Sequence, residues 1–158
     1  ISKLSTSQIG NLADKIDKVI FPGLQGGPQL HTIAAMGVAL EEALKPSFKK
    51  YAKQVVVNAR TLATELKRLG FKVISGGTDN HLMLVDTTPL GLTGKQAGER
   101  LERAGIIVNK NAIPFDSRKP WDPSGIRLGT PAATTRGLKE KNMAKIAGKI
   151  LKVLTFKS

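Results

Sequence analysis

The spacing of apolar residues changes at Gly70, and this change constrains the fold more than any other feature of the sequence. Before Gly70, apolar residues return every three or four positions, which predicts helices over residues 7–20, over Leu30–Leu44 and from Pro46 onward. After it, short apolar runs separated by turns predict strands at Phe71–Ser75, Leu82–Asp86, Ile106–Asn109 and Gly125–Thr130. The sequence therefore predicts an α/β fold, with a helical connector before Gly70 and a small α+β domain after it.

Two further helices are predicted from their capping residues. Thr93, with Gln96 three positions later, forms a capping-box pattern for a helix that runs to Ala104 and ends at Gly105. Thr134 is predicted to cap the last helix. The apolar side of that last helix is predicted to carry Ile146, Ile150 and Val153.

The predicted helix Leu30–Leu44 is apolar nearly all round. Such a helix is normally covered on most sides by other protein, so we expect part of its cover to come from a partner chain or from sequence outside these 158 residues. Ile1 is not a methionine, and we expect the chain to be a fragment that opens inside a longer protein.

Composition excludes several classes of protein. Hydrophobic residues make up 41% of the chain and charged residues 23%, which is enough apolar material for a folded core. No run reaches the about 18 apolar residues of a membrane span, so we expect no membrane insertion. Without cysteine there is no disulfide, thiolate metal site or cysteine nucleophile, and a cytoplasmic location is the simplest context. The two histidines are far apart in sequence, and no metal site is predicted.

The chain is strongly basic, with 25 Lys and Arg against 12 Asp and Glu and a net charge of +13. Such a charge raises the question of nucleic-acid binding. The densest run, Arg136 to Lys157, holds seven cations against Glu140 alone, but aromatic residues do not alternate with its cations as a base-stacking platform would require. Nucleic-acid binding is therefore not favoured, and an anion- or RNA-binding module without catalysis is kept as the alternative function.

Three polar segments could carry chemistry. Gly26 and Gly27 precede a helix and could bind a phosphate through their N–H groups, although a plain turn is the simpler interpretation. Arg127 lies between two apolar residues, so we expect it to be partly desolvated and to face either a ligand carboxylate or an internal acidic residue. Asn109 and Asn111 could bind the edge of a heterocycle or could only satisfy a turn. No motif supplies a nucleophile.

Four segments resemble, in the same order, the C-terminal part of serine hydroxymethyltransferase, a family of pyridoxal-phosphate enzymes. They are KIDKVIFPGLQGGP (15–28), SGGTDNHLMLVD (75–86), GIIVNKN (105–111) and SGIRLGTPA (124–132). The resemblance implies the C-terminal part of a fold type I enzyme similar to aspartate aminotransferase. Residues 1–27 would end its large cofactor-binding domain, residues 28–70 would be two long connecting helices, and residues 71–158 would be its small domain.

The resemblance also implies roles for individual residues. Gly26 and Gly27 would bind the pyridoxal phosphate of the neighbouring subunit, Arg127 the carboxylate of the amino acid, and Asn111 the pterin ring of the folate. Phe115 receives no role. The intact enzyme would interconvert serine and tetrahydrofolate with glycine and methylenetetrahydrofolate, as a homodimer or homotetramer. The family's Schiff-base lysine would lie upstream of this chain, so no catalytic residue is assigned here and the fragment alone is expected to be inactive.

Overall fold

The structure, a computed structural model, describes residues 6–156, with side chains from residue 11 onward. The chain forms two compact units, the first ending at Leu44 and the second beginning at Lys45. The domain boundaries predicted after residues 27 and 70 refer to the architecture of a whole enzyme and stay a prediction.

The first unit is helical. Helix α1 spans Thr6–Lys18 and continues as a wider helical turn over Val19–Leu24, in which Phe21 has extended backbone angles. Helix α2 spans Leu30–Leu44 and agrees with its predicted bounds. Every side chain of residues 11–44 is exposed within the chain, including the large apolar side chains of α2: Leu30, Ile33, Met36, Val38, Leu40 and Leu44. The cover expected for this apolar helix stays a prediction.

The second unit is an α+β domain built on a four-stranded sheet with strand order β1-β2-β4-β3. All of its strand pairs are antiparallel, so the α+β prediction for the small domain is confirmed. Its elements are α3 (Pro46–Arg68), β1 (Lys72–Val73), β2 (Leu82–Asp86), α4 (Gly94–Arg103), β3 (Asn109–Asn111), β4 (Gly125–Gly129), α5 (Pro131–Thr135) and α6 (Glu140–Thr155).

Helix α3 shows how the sequence builds the core. Pro46 occupies the first helical turn, where its missing N–H costs no hydrogen bond. Leu62 and Leu66 are buried on one side, and they pack with residues of α4, α6 and the sheet. Ile126 of β4 is fully buried in the same cluster and contributes about 1.5–3 kcal/mol by burial alone. The helices therefore cover one side of the sheet.

Strand β3 lies further along the chain than the predicted strand Ile106–Asn109. It begins only at Asn109, because the residues before it complete the end of α4. Gly105 has a φ of +78°, and the backbone N–H of Ile106 donates to the carbonyl of Leu101 at 2.8 Å. This closing bond keeps Ile106 with the helix, where its side chain packs against the core without joining the sheet.

The prediction that Thr134 caps the last helix is wrong. Pro131 begins a separate short helix, α5, and Thr134 is buried inside it, with its hydroxyl donating to the carbonyl of Thr130 at 2.8 Å. Gly137, with a φ of +79°, ends this turn, and Lys139 is the N-cap of α6. The strand predicted at Phe71–Ser75 is also shorter, since only the two residues of β1 pair with β2.

Candidate functional site

The sheet has one face against the core and one open face. Ile126 and Leu128 of β4 point into the core, so Arg127 between them points to the open face. Residues directly opposite each other in an antiparallel sheet share a face, and Arg127 stands opposite Leu84 on one side and Asn109 on the other. The open face of the sheet therefore surrounds Arg127 with one apolar and one amide side chain.

Arg127 is exposed in the described chain, so the partial desolvation expected of it is not found there. The apolar residues beside it in sequence lie on the opposite face and do not shield it. Within residues 6–156 the guanidinium of Arg127 has no ion pair with an acidic side chain, so the internal ion pair left open by the sequence is not formed there. Its donors are thus available to an anion from outside this part of the chain.

Asn111 shares the open face with Arg127. It stands opposite Gly125, two residues before Arg127, and such diagonal neighbours lie about 7–8 Å apart. The side-chain nitrogen of Asn111 donates to the carbonyl of Ala112 at 2.7 Å, as the turn interpretation expected. The pairing of β3 with β4 places this amide on the same face of the sheet as the guanidinium of Arg127.

Gly26 and Gly27 lie in the first unit, between the helical turn that ends at Leu24 and the start of α2. Helix α2 begins at Leu30, so Pro28 precedes it. A Cβ added to either glycine would meet nothing within 4 Å. Their backbone N–H groups donate to no acceptor in the described part of the chain, which leaves them free for an anion.

The loop 112–124, which joins β3 to β4, is organised by Asp116. One carboxylate oxygen, Oδ1, accepts from the hydroxyl of Ser124 at 2.6 Å and from the N–H of Arg118 at 2.9 Å. The other, Oδ2, accepts from the N–H of Ser124 at 2.9 Å and from that of Ile113 at 3.2 Å. The bonds from Ser124, together with that from Arg118, hold the pKa of Asp116 well below its usual value although partial burial opposes them.

The sequence prediction missed Asp116, although a signal for it was present. An aspartate inside a loop rich in proline and serine is suited to accept backbone hydrogen bonds from residues that follow it. What the sequence did not reveal is that Ser124, eight residues away, supplies two of the four donors. That pairing depends on how the loop returns to β4.

A cavity of about 550 Å³ opens beside β2. It is lined by the loop from Ile74 to Asn80 and by residues of β2 that include Leu84, which stands opposite Arg127. His81 lies next to this loop and is exposed, and His31 on α2 is also exposed. Among residues 6–156, no cluster of three or more acidic or histidine side chains could hold a metal ion.

No helix in the described residues has both the length and the apolar character needed to cross a membrane. In a comparison with known protein families, the family model described as "SHMT: Serine hydroxymethyltransferase" matches residues 1–150 of the 158-residue chain.

Proposed function

The chain belongs to the serine hydroxymethyltransferase family, and we propose that Arg127 binds the carboxylate of the amino-acid substrate in an enzyme of which this chain is the C-terminal part. Family membership supports a transferase function in serine, glycine and one-carbon metabolism. The observation that carries the proposal is the open-face position of Arg127, exposed and without an acidic partner in the described residues.

The chemistry of Arg127 suits this role. A guanidinium presents parallel N–H donors that match the two oxygens of a carboxylate, and a lysine ammonium lacks this geometry. Cover from the rest of the enzyme would exclude water and strengthen the contact. With the carboxylate held, the orientation of the rest of the amino acid is restricted, and correct orientation of a reacting bond is a major source of rate.

Asn111 is proposed to contact the pterin ring of tetrahydrofolate. An amide can both donate and accept hydrogen bonds, which fits the mixed edge of a heterocycle. Its position about 7–8 Å from Arg127, as expected for diagonal neighbours, would bring the folate close to the amino acid. Such proximity is what the reaction needs, because a one-carbon unit passes between serine and tetrahydrofolate to give glycine and methylenetetrahydrofolate.

Pyridoxal phosphate is the proposed cofactor, in a fold type I enzyme similar to aspartate aminotransferase. Gly26 and Gly27 fit a phosphate, since their N–H groups have no acceptor in the described residues and a Cβ added to either would meet nothing within 4 Å. The cofactor supplies an electron sink for the bond that breaks, and the protein supplies binding and orientation. We further propose that the phosphate belongs to a neighbouring subunit of a homodimer or homotetramer located in the cytoplasm, and that the fragment alone is inactive.

The test is Arg127→Ala in the complete enzyme. Loss of a two-bond contact between charged groups should lower kcat/KM for serine by at least about 100-fold. Arg127→Lys keeps the charge without the paired donors and should recover only part of this loss. Arg103→Ala, which removes an exposed arginine from α4, is the control. Unchanged kinetics for Arg127→Ala would remove this residue from the substrate site.

The alternative function, an anion- or RNA-binding module, would use the basic run from Arg136 to Lys157, which includes α6. Lys141, Lys145 and Lys152 are exposed there, while Lys149 donates to the carbonyl of Ala104 at 2.7 Å. A salt titration separates the two proposals. RNA affinity that falls steeply with salt and shows no sequence preference would indicate only general attraction between charges.

A further inference from the structure

The loop 112–124 connects the strand that carries Asn111 to the strand that carries Arg127. It contains no helix or strand, so its shape depends on the hydrogen bonds within it. The two ends of this loop are close in sequence to Asn111 and Arg127. Ile113 lies two residues after Asn111, and Ser124 immediately precedes Gly125, the first residue of β4.

Asp116 joins these two ends through one atom. Its Oδ2 accepts the N–H of Ile113 at 3.2 Å and the N–H of Ser124 at 2.9 Å. The pair Asn111 and Gly125 is the last of the β3–β4 ladder, so the carboxylate continues the pairing just beyond the point where the ladder ends. A second tie lies nearby, where the side chain of Lys110 donates to the carbonyl of Trp121 at 2.9 Å.

The junction is closely packed. A Cβ added to Gly125 would lie 2.6 Å from Cγ2 of Ile113 and 3.1 Å from the carbonyl oxygen of Asn111. Such close contact leaves little room for β3 to shift along β4. The backbone of Phe115, which precedes Asp116, has a φ of +58°, a conformation that bulky residues seldom adopt.

We propose that Asp116 is a positioning residue, whose carboxylate bridges the ends of the loop and thereby sets the position of Asn111 relative to Arg127. Its effect on folate binding rests on the proposed function, since it depends on Asn111 contacting the folate. Asparagine is not a clean test of the bridge, because a carboxamide whose oxygen takes the place of Oδ2 still accepts both N–H groups, whereas alanine removes every acceptor. The lowered pKa of Asp116 supports a carboxylate that stays charged at neutral pH.

The bridge is tested directly by amide hydrogen exchange on this chain with Asp116→Ala. Exchange at Ile113, Arg118 and Ser124 should become about tenfold faster or more, because charged hydrogen bonds are lost at these amides. Ser124→Ala removes only the hydroxyl donor and should give a smaller increase. The matched control is Asp79→Ala, since the side chain of Asp79 is fully exposed and forms an ion pair with Arg60 at 3.5 Å. Exchange at the three amides that matches the control would overturn the bridge.

The positioning effect is tested in the complete enzyme by comparing Asp116→Ala with Asn111→Ala. Asp116→Ala should raise the KM for tetrahydrofolate by about tenfold and change the KM for serine less, because the displaced group is the amide. If Asn111→Ala raises the folate KM and Asp116→Ala does not, this inference is wrong and the proposed function stands. If Asn111→Ala leaves the KM for tetrahydrofolate unchanged, the proposed contact between Asn111 and the folate is wrong. The effect of Asp116 on folate binding is then wrong as well, whatever the exchange rates show.

Discussion

Replacement of Asn58 by alanine should destabilise the second unit strongly. Asn58 is a fully buried polar residue on α3, and its side-chain nitrogen donates to the hydroxyl of Thr134 at 2.9 Å and to the carbonyl of Leu138 at 2.9 Å. Its oxygen accepts from Gln54 at 3.0 Å. Because the hydroxyl of Thr134 in turn donates to Thr130, which directly follows β4, this network ties the longest helix to the end of the strand that carries the proposed site.

The expected loss follows from the bonds removed. A buried polar group left without its partner costs about 1–3 kcal/mol, and Asn58→Ala leaves two former acceptors without their donor. We therefore expect the free energy of unfolding to fall by about 2–4 kcal/mol. With a urea dependence of about 2 kcal/mol per molar, the midpoint of urea unfolding followed by far-UV circular dichroism should fall by about 1–2 M.

Two further variants make the result interpretable. Thr134→Val removes one partner of Asn58 and should couple to Asn58→Ala in a double-mutant cycle by about 0.5 kcal/mol or more. Asn109→Ala is the matched control, because Asn109 is exposed and its change should stay within about 0.5 kcal/mol. If Asn58→Ala shifted the midpoint no more than this control, the buried network would not stabilise the fold and the reasoning would be refuted.

Two other stability predictions concern Gly94 and Asp86. In Gly94→Ala the new Cβ would lie 2.0 Å from the carbonyl oxygen of Gly125, so urea unfolding should show that the free energy of unfolding falls by about 2–3 kcal/mol. In the control, Gly148→Ala, the new Cβ meets nothing within 4 Å, and the variant should stabilise α6 by about 0.5–1 kcal/mol. Burial raises the pKa of Asp86, but hydrogen bonds from Thr88 and Lys72 outweigh it and leave the pKa below its usual value. The resulting stabilisation is present above about pH 4 and is lost as the pH falls through the lowered pKa. In Asp86→Asn the free energy of unfolding should therefore depend less steeply on pH below about pH 4 than in the wild type. An unchanged slope would contradict this prediction.

The elements that the sequence predicted well are those set by local signals. Helix α2 has its predicted bounds, α3 begins at its proline, and the capping box of Thr93 and Gln96 forms with both of its hydrogen bonds. Strand β2 also has its predicted bounds. In each case residues within a few positions of one another determine where the element begins or ends, so no knowledge of the tertiary fold was needed.

The wrong predictions concern features that residues distant in sequence determine. The end of α4 delays the start of β3, but which residues then form the strand depends on pairing with β4, and Thr134 was assigned to a cap although its side chain bonds to Asn58 across the core. The exposure of Arg127 is a different case. Side chains alternate between the two faces of a strand, so Arg127 lies on the other face of the sheet from Ile126 and Leu128. That inference was within reach of the sequence, since the strand itself was predicted.

The two faces of β4 separate stability from the proposed function. Ile126 and Leu128 are buried among helices and stabilise the domain, whereas Arg127 contacts no acidic side chain in the described residues and contributes little to folding there. An exposed arginine without such a partner is free to change during evolution unless something outside this part of the chain requires it. The same separation means that Arg127→Ala should leave the unfolding of the chain within about 0.5 kcal/mol of wild type. A loss of activity in that variant would then report on substrate binding and not on a damaged fold.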